Sequence, residues 1–441
     1  MITDIPTDMA DYRSLFDLPA SPIYISGASR SPMPRKVLHT GIRAMRRKVS
    51  SPWSIAASEH RHVDERLRKA WAQLLNATPD HFSFAPSCSY AISVVANILV
   101  RSGTIKREDS ILVLNDQMSS SVYPWQQVVH DTGARLKVVR LSDGEGGSNN
   151  DDWTQAVLNA TSATVKVVCV PNVHWCDGSL LDLKKIGEKC RACGAVLVVD
   201  ATQSLGALPL DVGQVRPDFV AASSHKWLMG PYGVCLLYSD ARWHGIQMTN
   251  KQDGQTAGVS NLWPLEHHEH NRFNPTDIDC LPLLSDHNTG FIGYEPRFKQ
   301  GARAYDSGGR PNPILMPMVC TAVEMVLRWG PDQVHNMLRV HTDQIAATAT
   351  RLGLRIPSRR AAHICGVDRC GDETWADRCS TFLASKGIIV ASRFGKLRVA
   401  PHVYNTSNEI QQLCTLLMAF EVLEGRRKGV GCSTGTGRSH L

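Results

Sequence analysis

Seven short apolar runs, each separated from the next by turn residues or a helix-length stretch, constrain this chain more than any other feature. They are 82–85, 110–114, 136–140, 165–170, 195–200, 219–223 and 233–238. Runs such as Val165–Val170 and Ala195–Asp200 are apolar at almost every position. A strand that faces water on one side alternates apolar and polar residues; a continuous apolar run belongs to a strand covered on both faces. Amphipathic helical stretches between the runs supply that cover. The pattern predicts an α/β domain around a mostly parallel sheet.

The 441 residues exceed what one simple core needs and suit a large domain plus a smaller one. Residues 1–35 read as an N-terminal arm, with a mobile lead-in over 1–20. The large domain is expected over 36–312, with an irregular, His-rich insertion or cover at 242–289 and a polar loop at Asp143–Asp152. The texture changes after Pro311. Two helices (315–329 and 331–352), short strands and a final helix from Ser407 predict a small α+β domain over 313–424. A basic, then Gly/Ser/Thr-rich, flexible tail is expected over 425–441. A hydrophobic content of 43% and a charged content of 20% place the chain among ordinary globular proteins. The net charge of +7 is spread out, with local clusters at Arg43–Lys48 and Arg426–Lys428. It suits anionic small molecules and does not call for nucleic acid. No apolar run reaches the ~18–20 residues that span a bilayer, and the acidic start lacks a secretory pattern. The thirteen cysteines therefore read as reduced thiols. Neither Cys190–Cys193 nor the cluster His267, His268 and His270 has convincing metal-ligand spacing, so no metal is expected.

The chemistry concentrates between residues 198 and 233. Asp200 ends an apolar strand, where a carboxylate needs a cationic partner. The protonated ring nitrogen of a bound cofactor is one such partner; an internal salt bridge is the plain alternative. Lys226 follows the next strand, beside Ser223 and His225, which can donate to a phosphate. A lysine so placed can carry a depressed pKa and form an imine. Gly230 and Gly233 permit a tight turn beside it.

The ordered string Asp200-x-x-Gln203, Ser223-x-His225-Lys226 and Gly230-Pro-x-Gly233 resembles the class V aminotransferases and cysteine-desulfurase-like enzymes, fold-type-I enzymes that use pyridoxal 5'-phosphate. The resemblance implies that Lys226 holds the cofactor covalently. It places Asp200 at the pyridine nitrogen, Gln203 at the phenolic oxygen, and Ser223 and His225 at the phosphate. Ser87, Cys88 and Ser89, after the strand at 82–85, resemble the family's phosphate-gripping turn, where a helix N-terminus offers free N–H groups; an ordinary helix cap uses the same residues. Cys88 is the poorer donor and is expected to act through its backbone. Asn172 matches a family asparagine near the cofactor oxygen. Ser307 and Gly308 lie in Asp306–Asn312, which resembles a loop that completes the phosphate site of a neighbouring subunit and so implies a homodimer; a surface turn is the alternative. Arg398 matches the arginine that clamps the substrate α-carboxylate, with Arg393 as a second candidate and a surface salt bridge as the alternative. Ser29 and His174 are further substrate-binding candidates; His174 suits simple packing equally well.

Two departures from the family bear on the reaction. The stretch Ala391–Arg398, where desulfurases carry a nucleophilic cysteine on a mobile loop, is short and has no cysteine. A persulfide cannot form there without a thiol. Where many relatives stack a histidine on the cofactor ring, the match places Met118, which packs but moves no protons. Lys226 is then expected to carry the proton transfer. The resemblance therefore implies an aminotransferase passing an amino group from an amino acid to a keto acid, with a lyase that cleaves a C–C or C–S bond as the alternative. The expected location is cytoplasmic. Ser439-His440-Leu441 gives a second expectation, peroxisomal import through its receptor, as a close variant of Ser-Lys-Leu.

Overall fold

The computed structural model describes residues 12–141, 152–245, 262–272, 297–309 and 312–431. Most of the Asp143–Asp152 loop, most of 242–289, Arg310, Pro311 and the terminal Ser439-His440-Leu441 lie outside them. The chain divides into two compact units. The larger comprises Ser31–Trp175 and Leu180–Asp332; the smaller comprises Met1–Arg30, Cys176–Ser179 and Gln333–Leu441.

In chain order the strands are β1 (Ile23–Tyr24), β2 (Phe82–Ala85), β3 (Ser110–Leu114), β4 (Arg135–Val139), β5 (Val165–Pro171), β6 (Val196–Asp200), β7 (Phe219–Ser223), β8 (Cys235–Ser239), β9 (Cys365–Val367), β10 (Ile388–Ile389), β11 (Ala391–Arg393) and β12 (Lys396–Val399). The larger unit holds one seven-stranded sheet, ordered β2-β8-β7-β6-β5-β3-β4. Only β8 runs against its neighbours. All residues of β6 and β7 are buried, whereas β4, at the sheet edge, exposes Arg135, Lys137 and Val138. The continuous apolar runs are thus the central strands. Helix Cys88–Arg101 packs its apolar face over them, with Trp125 and Val128 beside it. Each fully buried Val or Leu in this layer contributes about 1.5–3 kcal/mol.

The expected small-domain helix 315–329 belongs to the larger unit. Helix Leu315–Trp329 packs on helices Arg35–Ser50 and Ala57–Leu75. At the crossing, a side chain at Gly41 would meet the Met318 sulfur at 2.5 Å, so the glycine allows the close approach.

The smaller unit pairs β1 in parallel with β10 and forms an antiparallel sheet β11-β12-β9. Its core includes Trp375, Leu383, Leu397, Val399 and Leu413. Two corrections to the sequence reading arise here. The lead-in is anchored from Tyr12 onward: Tyr12 and Phe16 are buried, Phe16 meets the Tyr404 ring edge-on at 5.4 Å, and Arg13 pairs with Glu409 at 2.9 Å. Also, the last helix runs Ser407–Gly431, past the expected start of the tail. Among the described residues, no helix is long and apolar enough to cross a membrane.

Candidate cofactor and anion sites

Five strands of the larger unit deliver candidate residues at their carboxyl ends: β2 leads to Ser87, β3 to Met118, β5 to Asn172, β6 ends in Asp200, and β7 leads from Ser223 to Lys226. Parallel α/β sheets bind ligands at this end.

The Asp200 carboxylate is buried among neutral donors. Ser121 Oγ donates to one oxygen at 2.7 Å and the Thr202 N–H donates to the other at 3.0 Å. Such donors fix the carboxylate without cancelling its charge, so it remains suited to a cationic ring nitrogen. Gln203 accepts from the Trp227 indole N–H at 3.0 Å, which turns its amide NH2, the donor end, away from Trp227. Thr202 Oγ1 accepts from the Ser223 N–H at 3.2 Å and ties β6 to the lysine strand.

The turn carrying Lys226 is held by its own backbone. Met229 N–H donates to Lys226 O at 2.9 Å and Gly230 N–H to Ser224 O at 2.8 Å. Gly206, at φ +106°, lies so close that a side chain there would meet the Trp227 carbonyl oxygen at 2.5 Å. His225 stacks on Tyr232 with ring centroids 4.0 Å apart. Burial, with the neighbouring Lys226 charge, pushes the His225 pKa down to about 4. The imidazole is therefore neutral near pH 7.

Ser87 caps helix Cys88–Arg101, accepting from Tyr90 N–H at 3.1 Å, and lies 3.0 Å from the Ser89 hydroxyl. The Cys88 thiol turns into the core beside Cys235, and that contact and burial push its pKa up. What Cys88 can offer an anion is its backbone N–H. Asn172 is buried, its N–H donating to Asp200 O at 3.3 Å. Met118 is partly exposed and its carbonyl accepts from Ser121 N–H. His174 is buried, stacked on Trp153 at 5.2 Å, with Nε2 3.3 Å from Asn115 O; these contacts support its packing role.

Ser307 and Gly308 are reached through a buried anchor. Asp306 accepts from the Phe84 N–H at 2.9 Å and from Arg68 at 2.6 Å, and Ser307 N–H donates to Phe84 O at 2.9 Å. Gly308 N–H donates to Glu266 at 2.5 Å. The loop thus starts against the strand that leads into the Ser87 turn. Sequence reasoning missed Arg68, Ser121, Thr202 and Trp227. Thr202 and Trp227 lie inside the motif string; Arg68 and Ser121 carry no local signal, because their partners are distant in sequence.

In the smaller unit, Arg398 is almost fully buried and donates to Ser29 Oγ at 2.5 Å. Ser29 Oγ also accepts from Ser26 Oγ at 2.9 Å. With two bonds accepted, the Ser29 hydroxyl hydrogen is directed elsewhere and can serve an anion. Burial, then the charge of Arg393, pushes the Arg398 pKa down to about 10. Arg393 itself is half-buried and donates to Ser392 O at 2.6 Å.

Residues 23–251 match the family model described as aminotransferase class-V. An uncharacterized aminotransferase, YcbU of Bacillus subtilis, is 25% identical over 79% of this chain and 81% of its own length. A protein named probable cysteine desulfurase from Pyrococcus abyssi is 32% identical over 40% of this chain. The isopenicillin N epimerase of Streptomyces clavuligerus is 27% identical over 52% of it. These last two are matched over only 41% and 56% of their own lengths. Among solved structures, the cysteine desulfurase CsdA from Escherichia coli superposes with a TM-score of 0.72 at 18% identity, covering 94% of this chain and 98% of that one. The cystine C–S lyase C-DES superposes with a TM-score of 0.70 at 18% identity, covering 90% and 97%.

Proposed function

This chain belongs to the class-V aminotransferase family of fold-type-I, pyridoxal-phosphate-dependent enzymes, and within that family we propose that it is an aminotransferase, passing the α-amino group of an amino acid to a keto acid. The observation that carries this reading is the choice of proton carrier. Met118 cannot hold a proton, and the Phe394-Gly395 turn before Arg398 contains no thiol. Lys226 is then the group placed to take and return the substrate proton, which transfer requires.

The residues fit the cofactor. Bound pyridoxal phosphate would supply an electron sink that loosens bonds at the carbon bearing the amino group. Asp200 would hold the proton of the ring nitrogen. The Gln203 amide would donate to the phenolic oxygen, with Asn172 beside it. Ser223, His225, Ser87, Ser89 and the Cys88 N–H would take the phosphate, joined by Ser307 and Gly308 of a second copy in a homodimer. Arg398 and Ser29 would take the substrate carboxylate.

The test is to incubate the cofactor-loaded enzyme with an amino-acid panel, with and without a keto acid. Amino transfer predicts product only when the keto acid is present. Pyruvate, alanine or ammonia released without it would replace this reading with a lyase. An inverted α-carbon without it would replace it with an epimerase.

A further inference from the structure

Behind Asp200, a line of buried polar groups runs across the neighbouring strands β3, β5 and β6. Strand β3 ends at Leu114, whose N–H donates to Gln117 Oε1 at 2.8 Å. The Gln117 amide nitrogen points at Cys169 Sγ on β5, 3.9 Å away, and the Cys169 thiol points at the Ser121 carbonyl oxygen at 3.6 Å. Ser121 Oγ then donates to Asp200, at the end of β6, at 2.7 Å. Gln117, Ser121 and Cys169 are all buried.

Burying an amide, a thiol and a hydroxyl costs free energy unless each is paired, and apolar side chains would fill the same space without that cost. The pairing here has a direction. The two contacts to sulfur are long and weak. Burial pushes the Cys169 pKa up to about 12, so the thiol keeps its proton near pH 7. The short, strong bond is the one that ends on the carboxylate. The others fix the backbone from which Ser121 reaches. Gln117 ties the start of the turn to β3, Cys169 holds the Ser121 carbonyl, and the Ser121 N–H donates to Met118 O at 2.9 Å. With Ser121 on one oxygen and the Thr202 N–H on the other, the Asp200 carboxylate cannot rotate without breaking a hydrogen bond.

We propose that Ser121 is a positioning residue for the cofactor: by fixing the plane of the Asp200 carboxylate, it sets how tightly the enzyme holds a protonated ring nitrogen. The proposal rests on the reading of Asp200 as the ring-nitrogen residue and adds the group that aims it. An acceptor already in place binds a cation more tightly than one that must first be turned and immobilised. The phosphate candidates Ser87, Ser223 and His225, and Lys226 itself, are carried by other elements. The effect should therefore be specific to the nitrogen.

The experiment titrates the full-length enzyme, stripped of cofactor, with pyridoxal phosphate and with its deaza analogue, in which a C–H replaces the ring nitrogen. Both compounds keep the aldehyde and the phosphate. The parent enzyme is expected to prefer pyridoxal phosphate. Ser121→Ala should shrink that preference about 5- to 10-fold by weakening pyridoxal phosphate alone. Ser121→Cys, close in size but a weaker donor, should fall between the two, and it serves as the test if the alanine variant does not fold. An undiminished preference in either variant overturns the proposal and leaves Asp200 at the nitrogen. An equal loss of both compounds also overturns it, because Ser121 would then be a packing residue. A parent enzyme that binds the two compounds equally would instead remove Asp200 from the ring nitrogen, and the proposal would fall with that reading.

Discussion

The cradle around Lys226 and the cationic face around Arg398 hold charge in opposite ways. In the cradle, one buried carboxylate, Asp200, is fixed by neutral donors, Ser121 and Thr202, and like charges are kept apart; even His225 is neutral. On the β11–β12 hairpin, Arg393, Lys396 and Arg398 crowd one face, and the Asp177 carboxylate pairs with Lys396. The first arrangement suits a resident group that stays and supplies its own countercharge. The second suits an anion that comes and goes, because the charge it must meet is already assembled and partly desolvated.

The largest expected effect breaks the cradle alone. Lys226→Ala should abolish turnover and the absorbance band of the lysine-held cofactor; normal turnover in that variant would falsify the assignment of the site. Next comes the cationic face. Arg398→Lys keeps charge but loses the bidentate fork, and should weaken amino-acid binding by about 2–3 kcal/mol, a factor of tens to hundreds. Cofactor affinity should hold, and a drop there with substrate affinity intact would show Arg398 to be misassigned.

A pair of glycine substitutions sharpens the contrast. Gly206→Ala places a methyl group 2.5 Å from the Trp227 carbonyl oxygen at a φ of +106°, and Gly366→Ala places one 2.5 Å from the Asp177 Cα. Each should cost more than about 1 kcal/mol in thermal unfolding. Gly206→Ala should lower cofactor affinity with amino-acid binding less affected, and Gly366→Ala the reverse. Parallel losses in both variants would mean that the two regions respond as one.

Acid should act on both regions with the same sign. Burial holds the pKa of His225 down to about 4 and, with His363 nearby, that of His402 down to about 3, against 6.5 for a free histidine. Below pH 6.5 the unfolded chain gains protons that these folded histidines refuse. Their contribution is thus present above pH 6.5 and is lost as pH falls toward 4 and 3. Denaturant midpoints measured between pH 8 and 4 should fall on the acid side. A His225→Gln variant that kept the full slope would remove His225 from this account.

Residues close in sequence made the cradle legible. The alternation of apolar runs marked the sheet, and the span from Asp200 to Gly233 carries its candidate lysine, carboxylate and turn glycines in one string. Boundaries moved by a residue or two, as with β4 at Arg135–Val139. The hairpin was legible only as candidate arginines. Its charge balance depends on Asp177 and Gly366, which meet it from remote parts of the chain, and no local pattern announces such a meeting. The same holds for Arg68 and Asp306, and for the helix Leu315–Trp329, whose partners lie near the start of the chain. Tyr12 and Phe16 were read as a loose lead-in; the ring that Phe16 meets, Tyr404, arrives near the other end.

That last pairing bears on the order in which the protein is made. Ser29 leaves the ribosome 369 residues before Arg398. At about 5–20 residues per second, the wait is roughly 20–70 s. Ile25, Tyr12 and Phe16 spend it without the strands and rings that bury them. The chain contributes to the smaller unit in three separate visits, at Met1–Arg30, Cys176–Ser179 and Gln333–Leu441. The larger unit has all its described strands once Ser239 is synthesised, whereas the smaller one receives its last segment only from Gln333 onward. No contiguous fragment short of almost the whole chain contains its parts, so it cannot be cut out and refolded as a piece.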